Sequence, residues 1–215
     1  MSGAQSSRKR VLDELTKFAS LARFEEFAIK RRHDYDLVVG GIHEDDKFYE
    51  TRMLYFMEWL IFDAIGDDVR TVFRIYTDER AEGRSTEETE TLDALEKQWR
   101  DVFTVKWSAD GQMKVTALRN NENIIITDEE KSPSFRKGDL FSGRAFKIGE
   151  EWFLTNGICP HPSKALKTIK KDIKRIVKYG GGEMTEYLLR LTGMSVKWER
   201  FRNVEVSDIY KPMEE

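Results

Sequence analysis

The chain has 215 residues, 40% hydrophobic, 35% charged and 12% aromatic, and its 36 basic and 39 acidic residues leave a formal charge of −3. That hydrophobic share with so small a net charge excludes a disordered chain and suffices for one or two domains with real cores. A single cysteine excludes an internal disulfide and any multi-cysteine zinc site, and the polar start over residues 1–10 shows no apolar secretory segment, so the cytoplasm is the expected compartment.

Residues 7–32 carry Val11, Leu12, Leu15, Phe18, Leu21, Ala22 and Ile29 at three- and four-residue steps, which predicts an amphipathic helix. Residues 34–46 read as a loop, marked by acids and Gly40-Gly41. The most apolar stretch, residues 53–65, is too short to cross a bilayer and contains Glu58 and Asp63. It reads instead as part of a helix over 46–65, covered on several sides. A short helix over 69–80 follows. Ser85-Thr86-Glu87-Glu88 then gives a capping box opening a helix to about residue 100, with Leu92, Leu95 and Trp99 inward.

At this point the period changes to two. Phe103, Val105 and Trp107 alternate with polar residues, Asp110-Gly111 favours a type I′ hairpin turn, and Met113, Val115 and Ala117 answer on the return strand. Ile124-Ile125-Ile126 forms a third strand, and 140–148 with 152–155 a further hairpin around Gly149-Glu150. Five short strands predict a closed barrel. No helix fits between the third and fourth strands, which favours an SH3-like barrel over an OB-fold, with Phe103, Val105, Trp107, Met113, Val115 and Trp152 in its core. Residues 162–179 return to helix, stopped by Gly180–Gly182. A shorter helix covers 183–191, and 195–210 reads as strand or tail.

The signature Phe56-x-Glu58-Trp59-x-x-Phe62-Asp63, followed by Phe103-Thr104-Val105, Gly138-Asp139, Arg144 and Trp152, resembles a bacterial family of unknown function often associated with the SEC-C zinc motif. The resemblance covers residues 56–157 and implies a fold rather than an activity. SEC-C needs several Cys or Cys/His ligands, and only Cys159 and His161 stand near the right place.

The strongest functional pattern is the helix at 162–179. Its apolar residues Ala165, Leu166, Ile169, Ile173, Ile176 and Val177 fall on one arc at about 100° per residue, and Lys164, Lys167, Lys170, Lys171, Lys174, Arg175 and Lys178 on the other. Seven bases against the single acid Asp172 make the segment +6 within a chain of −3. Such a face repels itself unless it docks on acids of the same protein, for which residues 78–101 are the candidate, or on a polyanion that releases its condensed counterions. Arg8-Lys9-Arg10 and Lys30-Arg31-Arg32 form a second basic cluster, and Trp198-Glu199-Arg200-Phe201-Arg202 mixes aromatics with arginine as single-strand binders do.

His33-Asp34-Tyr35-Asp36 and His43-Glu44-Asp45-Asp46 hold metal-ligand types on one loop, but match no standard spacing. Cys159-Pro160-His161 lacks an orienting residue for a nucleophile. Glu58 and Asp63 lie on different faces of their helix, each expected to meet an arginine or a helix-end amide.

The expected fold class is α+β: an N-terminal helical region (1–101), a small five-stranded antiparallel SH3-like barrel (102–157), and a basic amphipathic helix, short helix and tail (158–215). The expected function is non-enzymatic nucleic-acid binding, RNA foremost, through Lys164, Lys167, Lys170, Lys171, Lys174, Arg175 and Lys178. The alternatives are a protein-binding adaptor acting through the barrel and, less favoured, a metal-dependent hydrolase using the His33–Asp46 loop. No cofactor, metal or membrane span is expected.

Overall fold

The computed structural model describes residues 3–66, 69–180 and 183–213, with side chains from Ser7 onward. The chain divides into two units, residues 1–37 with 41–98 and residues 38–40 with 99–215.

The first unit is helical: α1 (Gly3–Ala19), α2 (Glu25–Val39, its last two residues in the second unit), α3 (Tyr49–Phe62), α4 (Val72–Glu79) and α5 (Thr86–Glu96). The helix predicted over 7–32 is broken: a 3-10 turn, Ala22–Phe24, separates α1 from α2. In return α2 runs through residues 34–39, expected as loop. Arg31–Asp34 and Arg32–Asp36 pairs at three- and four-residue spacing hold that turn together, and Gly40, at φ +97°, ends it. The core of this unit is aromatic. Phe18 meets Tyr76 edge-on at 5.0 Å, Tyr35 meets Phe56 at 5.3 Å and Trp59 at 5.4 Å, and Phe62 meets Phe73 at 5.3 Å. The residues of the Phe56–Phe62 signature therefore serve packing. The predicted capping box opens α5 in full: Ser85 Oγ accepts from Glu88 N at 3.2 Å, and Glu88 Oε2 accepts from Ser85 N at 2.7 Å.

The second unit contains β1 (Trp99–Ala109), β2 (Gln112–Ala117), β3 (Asn123–Thr127), β4 (Leu140–Ile148), β5 (Glu151–Leu154) and β6 (Cys159–His161), then α6 (Leu166–Lys178), α7 (Met184–Arg200) and α8 (Val206–Ile209). The α+β class, with N-terminal helices, a closed five-strand barrel and C-terminal helices, is as the sequence predicts. Asp110 and Gly111 take φ of +49° and +75°, the pair of left-handed residues a type I′ turn demands.

Two details differ. The barrel is not antiparallel throughout: its order is β1-β2-β3-β5-β4 and back to β1, and β3 runs parallel to β5 at Ile126 and Trp152. This is the Greek-key order of an OB-type barrel, in which the chain crosses over between β3 and β4. Here a 3-10 turn at Ser132–Ser134 stands in that crossover, so the lack of a helix there does not force an SH3-like path. A sixth strand, β6, adds to β4.

The second difference is Trp107. Phe103, Val105, Met113 and Val115 are buried in one cluster with Ile126, Phe141 and Leu154, and Trp152 packs against it. Trp107 is 39% exposed. Val105 pairs with Val115 but Trp107 with Lys114, so Lys106 is an extra residue, a β-bulge that turns everything beyond it by one step.

The C-terminal helices pack against the outer side of the barrel. Ala165, Ile169, Ile173 and Ile176 join Val102, Leu118 and Leu140 of the barrel and Tyr187, Leu188 and Leu191 of α7 in a second core. Helix α7 is longer than predicted, taking in residues 195–200 expected as strand or tail. Gly193 sits inside it where the backbone of α2 passes: a Cβ there would lie 2.6 Å from the Val38 carbonyl oxygen. Of the glycines expected to stop the preceding helix, Gly180 takes φ +96°, and Gly181 and Gly182 lie outside the described residues.

Two stability outcomes follow. Gly193→Ala, which would gain about 1 kcal/mol in an open helix, should instead lower stability in urea denaturation, because a backbone carbonyl has to move. Met113→Ala should cost about 2–5 kcal/mol through its cavity, whereas Trp107→Ala should stay within about 0.5 kcal/mol of the parent, as surface changes do. A Trp107 variant as unstable as the Met113 variant would place the indole in the core.

Candidate nucleic-acid interface

Helix α6 begins after a 3-10 turn, Ser163–Ala165, and its apolar side is anchored by the buried Ala165, Ile169, Ile173 and Ile176. With that side fixed, the opposite side must face water. Lys164 on the turn and Lys167, Lys170, Lys171, Lys174 and Lys178 on the helix are all exposed. None of the six pairs with an acid among the described residues; Lys178 Nζ lies 5.6 Å from the Tyr179 ring. Arg175 is different. It is half-buried and donates from Nη1 to the Met213 carbonyl at 3.1 Å, a partner 38 positions away that no local pattern announces.

The lone acid of the segment is also turned away from the lysines. Asp172 is 2% exposed and accepts from Tyr187 Oη at 3.1 Å and Met213 N at 3.3 Å. The exposed face of this helix is therefore six lysines with no carboxylate among them. Four of the nine acids of 78–101 have arginine partners inside the first unit: Asp78 with Arg70 and Arg74, Glu79 with Arg23, Glu88 with Arg10, and Glu96 with Arg74.

The other sequence candidates resolve into structural roles. Arg10, Arg31 and Arg32 are held by Glu88, Asp34 and Asp36. Those three arginines of the second basic cluster are thus neutralised, and the cluster belongs to the first unit while α6 belongs to the second. His33, Asp34 and Asp36 stand on α2 rather than on a loop, the two carboxylates paired to arginines, and Asp46 pairs with the buried Arg52. Among the described residues no group of three His, Cys, Asp or Glu side chains converges to hold an ion. Trp198 packs against the core with the Arg202 guanidinium 3.9 Å from its ring centre, while Phe201 stays half exposed.

Cys159 and His161 both point inward from β6, two residues apart and so on one face. Burial pushes the thiol of Cys159 up to about 12 and the imidazole of His161 down to about 3, so both are neutral. The His161 ring nitrogens lie 3.1 Å from Tyr210 Oη and 3.1 Å from Ser142 Oγ, tying the C-terminal segment to the barrel. A buried neutral thiol beside a buried neutral imidazole that bridges Tyr210 and Ser142 fits a structural role.

Residues 25–186 match a family of unknown function (DUF7986). The chain belongs to that family. The matched span contains α3, the whole barrel and all of α6, so the lysine helix lies within the family's own domain. The association with SEC-C rests on the resemblance alone. No curated protein and no solved structure matches the chain. No helix among the described residues is long and apolar enough to cross a membrane.

A pair of buried groups sets opposing pH dependences. The Asp101 carboxyl is raised from 3.8 to about 6, chiefly by burial, against the pull of hydrogen bonds from Val102 N at 2.7 Å and Arg119 N at 3.2 Å. Between those values the folded chain holds a proton that the unfolded chain has released, so Asp101 makes stability fall as pH rises. His161, lowered from 6.5 to about 3, does the reverse: the unfolded chain takes up a proton that the folded chain refuses, and stability falls as pH falls. Each slope is about 1.4 kcal/mol per pH unit, and in the shared window they cancel. Asp101→Asn should uncover the histidine, so that the variant, followed by urea denaturation from pH 6 to 4, loses stability more steeply than the parent by about that slope. Parallel profiles for the two proteins would refute the assignment.

Proposed function

We propose that this protein binds nucleic acid, RNA foremost, through the lysine face of α6, and carries no chemistry of its own. The observation that supports the reading is the six exposed lysines of a pinned helix, unpaired among the described residues, with the segment's only acid buried on the opposite side. Holding six like charges on one rigid face is unfavourable, and a polyanion relieves it by releasing counterions. From Lys164 to Lys178 the row extends roughly 20 Å at 1.5 Å per residue, long enough to meet several phosphates. Lysine ammonium groups read phosphate charge rather than base edges, so binding would have weak sequence preference. Arg175 contributes charge from the margin, because its guanidinium is engaged with Met213.

The triple variant Lys167→Gln, Lys171→Gln and Lys174→Gln removes three charges from the middle of the face and keeps helix-forming side chains. It should melt with the parent, bind a labelled RNA more weakly whatever its sequence, and show a log–log salt slope shallower by at most about three units. Equal binding by parent and variant at low salt would remove α6 from the interface, and the protein-adaptor reading would replace this one.

A further inference from the structure

We propose that the outer face of β1, β2 and β3 is a platform on which the bases of a single strand stack, with Trp107 as its stacking ring. This rests on the nucleic-acid reading of α6 and assigns its ligand class: single-stranded rather than duplex.

The bulge at Lys106 is the starting point. Without it Trp107 would continue the inward set Phe103 and Val105; with it the indole emerges on the outer face. A bulge that re-aims one large aromatic into water is unfavourable for packing, and bulges recur where a side chain has to be presented. Trp107 has no ring contact and no hydrogen-bond partner among the described residues, and it is not alone. Lys114 pairs with it across the ladder, and Ile125, 46% exposed, pairs with Lys114. Three strands at about 4.8 Å spacing place Trp107, Lys114 and Ile125 in one row roughly 10 Å long, the rise of about three nucleotides at 3.4 Å each.

The chemistry of the row fits bases and their phosphates together. An exposed indole and an isoleucine offer flat apolar area to any base, while Lys106 and Lys114, which form no ion pair among the described residues, offer charge at its side. Across the three strands the only acid is Asp101, and it is buried. The same outer face leads to α6. Val102 and Leu118 stand on it at the other end, and the apolar side of α6 shares their core. Helix and platform are thus built on one sheet surface of one unit. A duplex keeps its bases stacked inside and would meet only the lysines; a single strand has free base faces to lay on the indole.

The test uses the full chain and two probes, a fluorescein-labelled oligouridine of about twelve nucleotides and a duplex RNA of the same length. Trp107→Ala should melt as the parent does, weaken oligouridine binding about tenfold, and leave duplex binding unchanged, since one base–aromatic stack accounts for roughly a 5- to 150-fold change. Trp107→Phe should recover most of the loss, which a merely structural indole would not do. Unchanged oligouridine affinity in Trp107→Ala, with the α6 triple variant still weakened, would overturn the platform and leave the lysine interface standing. Binding of neither probe by the parent would overturn both.

Discussion

The anchoring of α6 on the barrel is the constraint from which most of the second unit follows. Three apolar side chains of one helix face, Ile169, Ile173 and Ile176, with Ala165 of the turn before it, are buried with Val102, Leu118 and Leu140. Fixing that face fixes the azimuth of every other residue of the helix at about 100° per step. The lysines are driven outward by geometry rather than by any contact of their own. The same azimuth puts Asp172 inside, where its carboxylate orders Tyr187 and the Met213 amide. The C-terminal segment is thereby tied to the helix at Met213, and to the barrel through Tyr210 and His161.

How far the sequence discloses this depends on the range of the signal. Local chemistry reads well. The Ser85–Glu88 box, the Asp110-Gly111 turn and the alternation of Met113, Val115 and Ala117 each specify a conformation within a few residues. The lysine face is legible for the same reason, since helical period alone separates it from the isoleucines. Signals that depend on distant partners do not read. Arg175 leaves the exposed face for a carbonyl 38 residues on. Gly193 breaks no helix because the close approach it permits comes from Val38, far away in the chain. The acids and glycines after residue 34 have the composition of a loop, whereas the i,i+3 and i,i+4 arginine pairs that sustain α2 there are a matter of position.

The β-bulge is the most consequential illegible feature. Period-two reasoning assumes an unbroken pleat, and one inserted residue inverts the assignment beyond it. Strict alternation through Phe103 and Val105 sends Trp107 inward; the register with β2 sends it outward. The parallel closure of β3 on β5 is similarly nonlocal: no residue in either strand states its partner, and the topology is fixed only when β4 pairs with β1 on the far side. One inserted residue thus moves the Trp107 indole from core to surface.

Charge is distributed so that the two units do not share a common sign. In the first unit Asp78, Glu79, Glu88 and Glu96 of α4 and α5 are paired by Arg70, Arg74, Arg23 and Arg10, and Asp34 and Asp36 of α2 by Arg31 and Arg32. Exposed pairs of this kind contribute little to stability, but they cancel charge locally. A net of −3 therefore says little about the field near any one surface. Over α6 the six lysines are exposed with no ion pair among the described residues, and the segment's acid is buried. At physiological salt the field of that face decays over about 8 Å, so charges farther off than this, including those that set the overall net charge, are largely screened. An acidic protein can therefore present a surface that an anion experiences as strongly basic, and the relevant charge for an interface is the one counted within a Debye length of it.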